Sequence, residues 1–275
     1  MVQSIMCIIA YIEKGKEMPS KDTLQTMFIN NSDGCGFAYI CKDMVQIKKG
    51  FFVFDEFFNE LQSCLQKVPT TQSPYLLHFR ITTQGGTRAS NCHPFPSSSK
   101  LKRLKQTRAT TKIAIAHNGI IPEYSQAKWG ATTSDTMDFI QDFASPLIDN
   151  NATWWQGARG KAIKKALKEV AQSKLAILGN DGHCELIGDF VQDGGIWYSN
   201  TTYKTSRYTY TPTNWVYNPT KATWQATTQA EPTKKEVYNK YNCPYVKGNY
   251  TNPYCCYSCS DYVNCCYDDT DNLRY

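Results

Sequence analysis

Ser4-Ile5-Met6-Cys7-Ile8-Ile9-Ala10-Tyr11 opens the chain on an apolar, β-rich run in which a methionine directly precedes a cysteine. The run from Ile5 to Ile12 predicts a buried strand. Cys7 at its head has two readings. Taken alone, the plainer one is stronger: free cysteine is among the most buried residue types, and an edge strand has room for a small apolar side chain. The sharper reading is chemical. A cysteine left as the first residue, once Met6 is removed, carries a thiol nucleophile and a free α-amine on one residue. With a pKa near 8, that amine can serve as the thiol's own base. Five residues stand before Met6, so the sharper reading needs a start at Met6 or cleavage of a short leader, residues 1–6.

Working outward, the periodicity alternates between strand and helix. Ser20 to Phe28 predicts a helix with Ser20 as N-cap. Gly36 to Cys41 and Val45 to Lys49 read as a hairpin of strands. A helical pattern opens at Asp55 and continues through Phe58, Leu61 and Leu65. Tyr75 to Thr82 and Lys112 to His117 are apolar strands. Ser134 to Leu147 and Gly157 to Val170 have helical spacing. Lys174 to Leu178, His183 to Ile187 and Gly195 to Ser199 return to strand. Strands, a pair of helices and strands again give an α+β fold with antiparallel sheets. From about Thr201 the apolar periodicity fades into Thr, Tyr, Asn, Lys, Pro and Trp. Residues 205–240 read as an extended linker or arm, and 241–275 as a Cys/Tyr-rich tail.

Several short blocks recur in a fixed order. They are Met6-Cys7, Asp33-Gly34-Cys35-Gly36-Phe37-Ala38-Tyr39, Leu77-His78-Phe79-Arg80-Ile81-Thr82-Thr83-Gln84-Gly85-Gly86, Asn91-Cys92-His93-Pro94-Phe95, Ile115-Ala116-His117-Asn118-Gly119-Ile120 and Thr133-Ser134-Asp135-Thr136. Together, over roughly residues 6 to 200, they resemble the class II (N-terminal nucleophile) glutamine amidotransferase domain in its compact, stand-alone form. The resemblance implies a four-layer αββα sandwich over residues 7–204. It implies glutamine as substrate and a glutaminase half-reaction through a cysteine thioester. That half-reaction needs no cofactor, and the resemblance implies a separate partner enzyme that accepts the ammonia.

The resemblance also implies roles, each with a plainer alternative. Cys7 is the nucleophile, and the Asn118 side chain with the Gly119 N–H forms an oxyanion hole. Asn-Gly after a strand is otherwise the commonest hairpin signal. Arg80 holds the α-carboxylate of glutamine, a task its planar fork suits, and the neighbouring Thr83 hydroxyl helps hold the substrate. Alone, Arg80 reads as a surface ion pair. Asp135 holds the α-ammonium; alone, it reads as an acid favoured at a helix N-terminus. His93 supports the site, and His117 packs or hydrogen-bonds within its strand. Gln84 stands where many members have histidine. The glycines of the Asp33 block permit close backbone approach. Two rival functions remain: an amidase of different substrate, or a non-catalytic binding protein on the same fold.

Composition narrows the classes. A net charge of +6 suits attraction to polyanions without by itself indicating nucleic-acid binding. Lys100, Lys102, Arg103, Lys105, Arg108 and Lys112 read first as a solvated basic loop, and second as a docking surface (100–112) for nucleic acid or an acidic partner. No run of about 18 apolar residues predicts a membrane span, and residues 1–6 are too short and uncharged for a secretory signal. Six of the twelve cysteines lie in the first 184 residues and six crowd into 243–266. That distribution does not suit a secreted disulfide scaffold, so reducing cytoplasm is expected. In the tail, Cys243, Cys256, Cys259 and Cys265 could hold a structural zinc, with free thiols the equal alternative.

Overall fold

Strand β1 (Ile8–Ile12) is buried at every position, so both of its faces must be covered. It lies between β4 (Tyr75–Phe79) and β11 (Ile196–Tyr198), antiparallel to both. The structure is a computed structural model describing residues 7–125 and 132–204, with the backbone of 214–218 and 223–227. The chain divides into two compact units, Met1–Thr209 and Tyr210–Tyr275. Among the described residues the first unit holds two antiparallel sheets. The larger runs β10 (Val191–Asp193), β11, β1, β4, β2 (Cys35–Cys41), β3 (Met44–Phe51) and β6 (Arg108–Thr111). The smaller runs β5 (Phe95–Pro96), β7 (Ile113–Asn118), β8 (Lys174–Gly179) and β9 (Cys184–Ile187).

Because strand side chains alternate between faces, each strand feeds two apolar layers. Ile8, Ala10 and Ile12 point to one side of the larger sheet with Phe37, Leu77 and Phe79. There they meet Leu24 and Met27 of α1 (Lys21–Asn30) and Phe57 and Leu61 of α2 (Phe54–Lys67). Ser20 caps α1, its Oγ accepting from Thr23 N–H at 3.2 Å. Ile113, Ile115, Leu175 and Ile177 point to the far side of the smaller sheet. They pack on Phe139 and Ile140 and on Ile163 and Leu167 of α6 (Gly157–Ala171). Between the sheets, Ile9, Tyr11, Ala38, Ile47 and Leu76 face Ala114, Ala116, Ala176 and Leu178. Three alanines on the smaller sheet allow close approach, and each large side chain buried there contributes about 1.5–3 kcal/mol.

Two segments differ from the sequence reading. The basic run is not a loop. Leu101–Leu104 forms one helical turn, α3, and Arg108–Thr111 adds edge strand β6 to β3. Along β6, Ala109 and Thr111 are buried while Arg108 and Thr110 are exposed, and the flanking charges hide this two-residue period from a count of apolar residues. The second is the helix expected over 134–147. It starts at α4 (Asp135–Phe139), widens to a π turn over Ile140–Ala144, and resumes as α5 (Ser145–Ile148). Pro146 sits just after the wide turn. Its missing N–H and its ring disfavour a normal turn before it.

In the second unit, β12 (Asn214–Asn218) and β13 (Thr223–Thr227) pair antiparallel, within the segment read as an extended arm. Residues 1–6 and 241–275, with the zinc candidates Cys243, Cys256, Cys259 and Cys265, lie outside the described residues. Among the described residues, no group of three or more metal-ligating side chains converges, the cysteines are free, and no helix is long and apolar enough to cross a membrane.

Candidate functional site

The polar residues of the first unit gather where β1 begins and β7 ends. On β1 the inter-sheet positions are Ile9 and Tyr11, and two residues before Ile9 stands Cys7. On β7 they are Ala114 and Ala116, followed by Asn118. On β4, Leu76 is followed by His78, which is paired with Gly36 of β2. Ser199, just past β11, donates its N–H to Ile9 O at 3.0 Å. One end of the sheet interface is therefore apolar and the other polar.

A small, partly open cleft lies at the polar end. Cys7, Arg80, Thr83, Gln84, His93, His117, Gly119, Ser134, Asp135 and Thr136 contribute to its wall. Cys7, half-buried, has its Sγ 3.2 Å from the Ile81 N–H, which donates to it. Burial pushes its thiol pKa up, while that N–H and the Arg80 charge pull it down. The Cys7 carbonyl accepts from Asn200 Nδ2 at 2.8 Å.

Arg80 and Asp135 are both buried and already partly engaged. Arg80 Nη1 donates to Thr82 Oγ1 at 2.8 Å and Gly86 O at 3.0 Å, and Nη2 to Gln84 O at 2.9 Å. These bonds shape the 82–86 loop and leave two of the five guanidinium N–H groups. Asp33 Oδ2 pins the same loop, accepting from Thr82 N–H at 2.7 Å. Asp135 Oδ2 accepts from Ile121 N–H at 2.9 Å, and Oδ1 from Thr136 N–H at 2.7 Å. Its carboxylate keeps lone pairs for a further cationic donor. Ser134 caps α4, its Oγ accepting from Met137 N–H at 3.3 Å, and so aims Asp135 at the cleft from the first turn.

Gly119 has φ +142°, and a Cβ there would stand 2.6 Å from the Ser173 Cβ. Conformation and space both demand glycine, which leaves its backbone bare in the cleft wall. Asn118 does not contribute to that wall. Its Nδ2 donates to Ser199 Oγ at 2.8 Å, and its Oδ1 is buried without a partner.

Three histidines cluster at the cleft, His93 and His117 in its wall and His78 behind them. His78 and His93 stack with centroids 4.2 Å apart. His93 Nδ1 accepts the His117 backbone N–H at 3.1 Å, which puts the proton of the neutral ring on Nε2. His78 Nε2 lies 2.9 Å from the His117 carbonyl and donates to it. His117 spans Thr136 Oγ1 at 2.8 Å and Ser173 Oγ at 2.7 Å. Burial holds His78 down to about 3 and His117 to about 4, and drives His93 well below its ordinary value. Neutral rings at pH 7 suit hydrogen-bonded struts better than proton shuttles. Lys49 is a fourth buried base in this region, donating Nζ to Ser90 O at 2.8 Å and Leu104 O at 2.9 Å.

The structure thus brings Cys7, Arg80, Thr83, Gly119, Asp135 and His93 to one cleft, with Asn118 adjacent but outside its wall. Sequence reading missed Ser199, Asn200, Thr136 and Ser173. Each is a polar residue at or near a strand or helix end, a position that ordinarily signals only a turn or cap. No family model matches the chain, and no curated protein matches it in sequence.

Proposed function

We propose that the chain is a glutaminase of the class II amidotransferase type on an αββα fold of the N-terminal nucleophile kind, releasing ammonia for a separate acceptor enzyme. The observation that carries this reading is the meeting of Cys7, Arg80, Gly119 and Asp135 in one cleft. A thiol, a cation, an anion and a bare backbone amide are what a free amino acid with a side-chain amide requires. Arg80 takes the α-carboxylate through its remaining N–H groups, and Asp135 takes the α-ammonium. The side-chain amide then lies toward Cys7.

The chemistry proceeds by addition and elimination. The Cys7 sulfur forms a bond to the amide carbon as its proton passes to a base, which is the α-amine once Met6 is removed. The carbonyl oxygen becomes an oxyanion, held by the Gly119 N–H and the Asn118 carboxamide. Collapse breaks the C–N bond, the proton goes to the leaving nitrogen, and ammonia departs. Water adds to the thioester, and glutamate leaves as the thiol is restored. Burial raises the Cys7 thiol pKa, and the Ile81 N–H and the Arg80 charge partly offset it.

The test is ammonia and glutamate release from L-glutamine, compared with analogues blocked at the α-amine or the α-carboxylate. The wild type should turn over glutamine and leave both analogues nearly untouched. Arg80→Lys should lose much of the glutamine activity, because lysine keeps the charge without the two-point fork. Equal turnover of glutamine and the blocked analogues would make the chain a general amidase. No turnover of any of them, in protein beginning at Cys7, would leave the non-catalytic binding reading.

A further inference from the structure

Ser199 is completely buried one residue beyond β11. Its Oγ accepts the Ile9 N–H at 2.8 Å, and its carbonyl accepts from Lys174 Nζ. The next residue, Asn200, holds the Cys7 carbonyl. This dipeptide therefore ties the nucleophile's strand to β8 and, through Ser199 Oγ, to Asn118 on β7. It joins the two sheets at their polar end.

The proton count around Ser199 Oγ does not close as the atoms stand. A hydroxyl has one hydrogen and two lone pairs; a carboxamide has two hydrogens on nitrogen and an acceptor oxygen. Ser199 Oγ accepts from both Ile9 N–H and Asn118 Nδ2, while Asn118 Oδ1 is buried with no partner among the described residues. Orphaning a buried acceptor is costly. Turning the carboxamide over about Cβ–Cγ closes the count at Ser199 Oγ and leaves the NH2, instead of Oδ1, as the unpaired end of the amide. Ser199 then donates its hydrogen to Oδ1 and still accepts from Ile9. The NH2 moves to the orphaned position, where the described residues offer no acceptor. Either orientation leaves one end of the amide unpaired, and the turned one gives the serine hydrogen an acceptor.

We infer that Ser199 is a positioning residue, whose hydroxyl holds the Asn118 carboxamide with its NH2 turned away as an unpaired donor reserved for the oxyanion. The inference rests on the glutaminase reading. A donor without a resting partner makes its hydrogen bond only when the oxyanion forms, so Ser199 acts on turnover and not on substrate affinity. In this role it touches no substrate atom.

The experiment is a double-mutant cycle on glutamine hydrolysis with wild type, Ser199→Ala, Asn118→Ala and the double variant. Ser199→Ala should lower kcat on the order of tenfold, the worth of one neutral hydrogen bond, with KM little changed. The double variant should be no slower than Asn118→Ala alone, because Ser199 acts through Asn118. Ser199→Thr should restore much of kcat by restoring the hydroxyl. If Ser199→Ala does not fold, Ser199→Cys takes its place, with similar volume and a much weaker donor. Losses that multiply independently, or a Ser199→Ala or Ser199→Cys variant with wild-type kcat, would overturn the inference while leaving the glutaminase reading intact. A wild type inactive on glutamine would overturn both, and that pattern is distinct from the other two.

Discussion

The two ends of the sheet-on-sheet interface follow one geometric rule and reach opposite outcomes. At one end Tyr11, Leu76, Ala114 and Leu178 close the gap with apolar contacts. At the other, positions on the same alternation carry Cys7, His78 and Asn118, and the gap opens into a cleft. No change of fold separates the packed end from the open one here. Two residues further along a strand suffices, because the period of two keeps presenting the same face. Specific hydrogen bonds hold the polar end. His93 takes a backbone N–H, His78 gives to a carbonyl, and Asp33 and Arg80 fix the loop between β4 and β5.

The deepest break in that contrast is Cys7→Ala. It should reduce ammonia release from glutamine to background while the unfolding free energy stays within about 1 kcal/mol of wild type, since only one half-buried sulfur is lost. Hydrolysis near the wild-type rate would put the nucleophile elsewhere. Next is Asn118→Ala, which removes a donor needed only along the reaction path. Turnover should fall ~10²–10³ with glutamine affinity nearly unchanged. Steady-state kinetics that showed the loss in KM instead would remove Asn118 from the oxyanion hole.

The apolar end is probed by Ala116→Leu. Added methylenes between the sheets have nowhere to go, so denaturant unfolding should report a loss of about 1–3 kcal/mol. A neutral result would mean that the sheets are not closely packed there.

A further contrast separates the ends by pH. His78 and His117 are held near 3 and 4 in the folded protein, against about 6.5 in an unfolded chain. Between pH 6.5 and about 4 the unfolded chain binds protons that the folded one refuses, so stability falls as pH falls. Each such histidine adds a slope of up to about 1.4 kcal/mol per pH unit. Urea titrations at pH 7 and pH 5 measure this. Replacing His78 by glutamine should make the dependence shallower, and an unchanged slope would show that His78 is not buried neutral.

Strands rich in Ile and Leu were readable because their cores are made of the residues that periodicity counts. Ile8–Ile12, Tyr75–Phe79, Ile113–Asn118 and Lys174–Gly179 all lie where the pattern put them, to within a few residues. β5, β6 and β10 were missed. β5 has only two residues, β10 is exposed at every position, and β6 keeps its buried residues small among cations. In the cleft, Arg80, Asp135 and Gly119 were legible because each sits in a compact motif. Ser199 was not: its partners are 190 positions away at Ile9 and 81 away at Asn118, and no local pattern encodes such a separation. The π turn before Pro146 was hidden for another reason, since proline is well tolerated in the first turn of a helix and need not distort what precedes it.

The pairing of β1 with β11 joins the first described strand of the unit to its last. During synthesis the chain emerges from its N-terminal end, so β1 waits for nearly the whole unit to be made. Until Ile196–Asn200 arrive, one edge of β1 is unpaired, the Ile9 N–H lacks the Ser199 hydroxyl, and the Cys7 carbonyl lacks Asn200. A nascent chain therefore carries its thiol long before it carries the frame around it, and the arrangement is completed only when the unit's last described strand emerges.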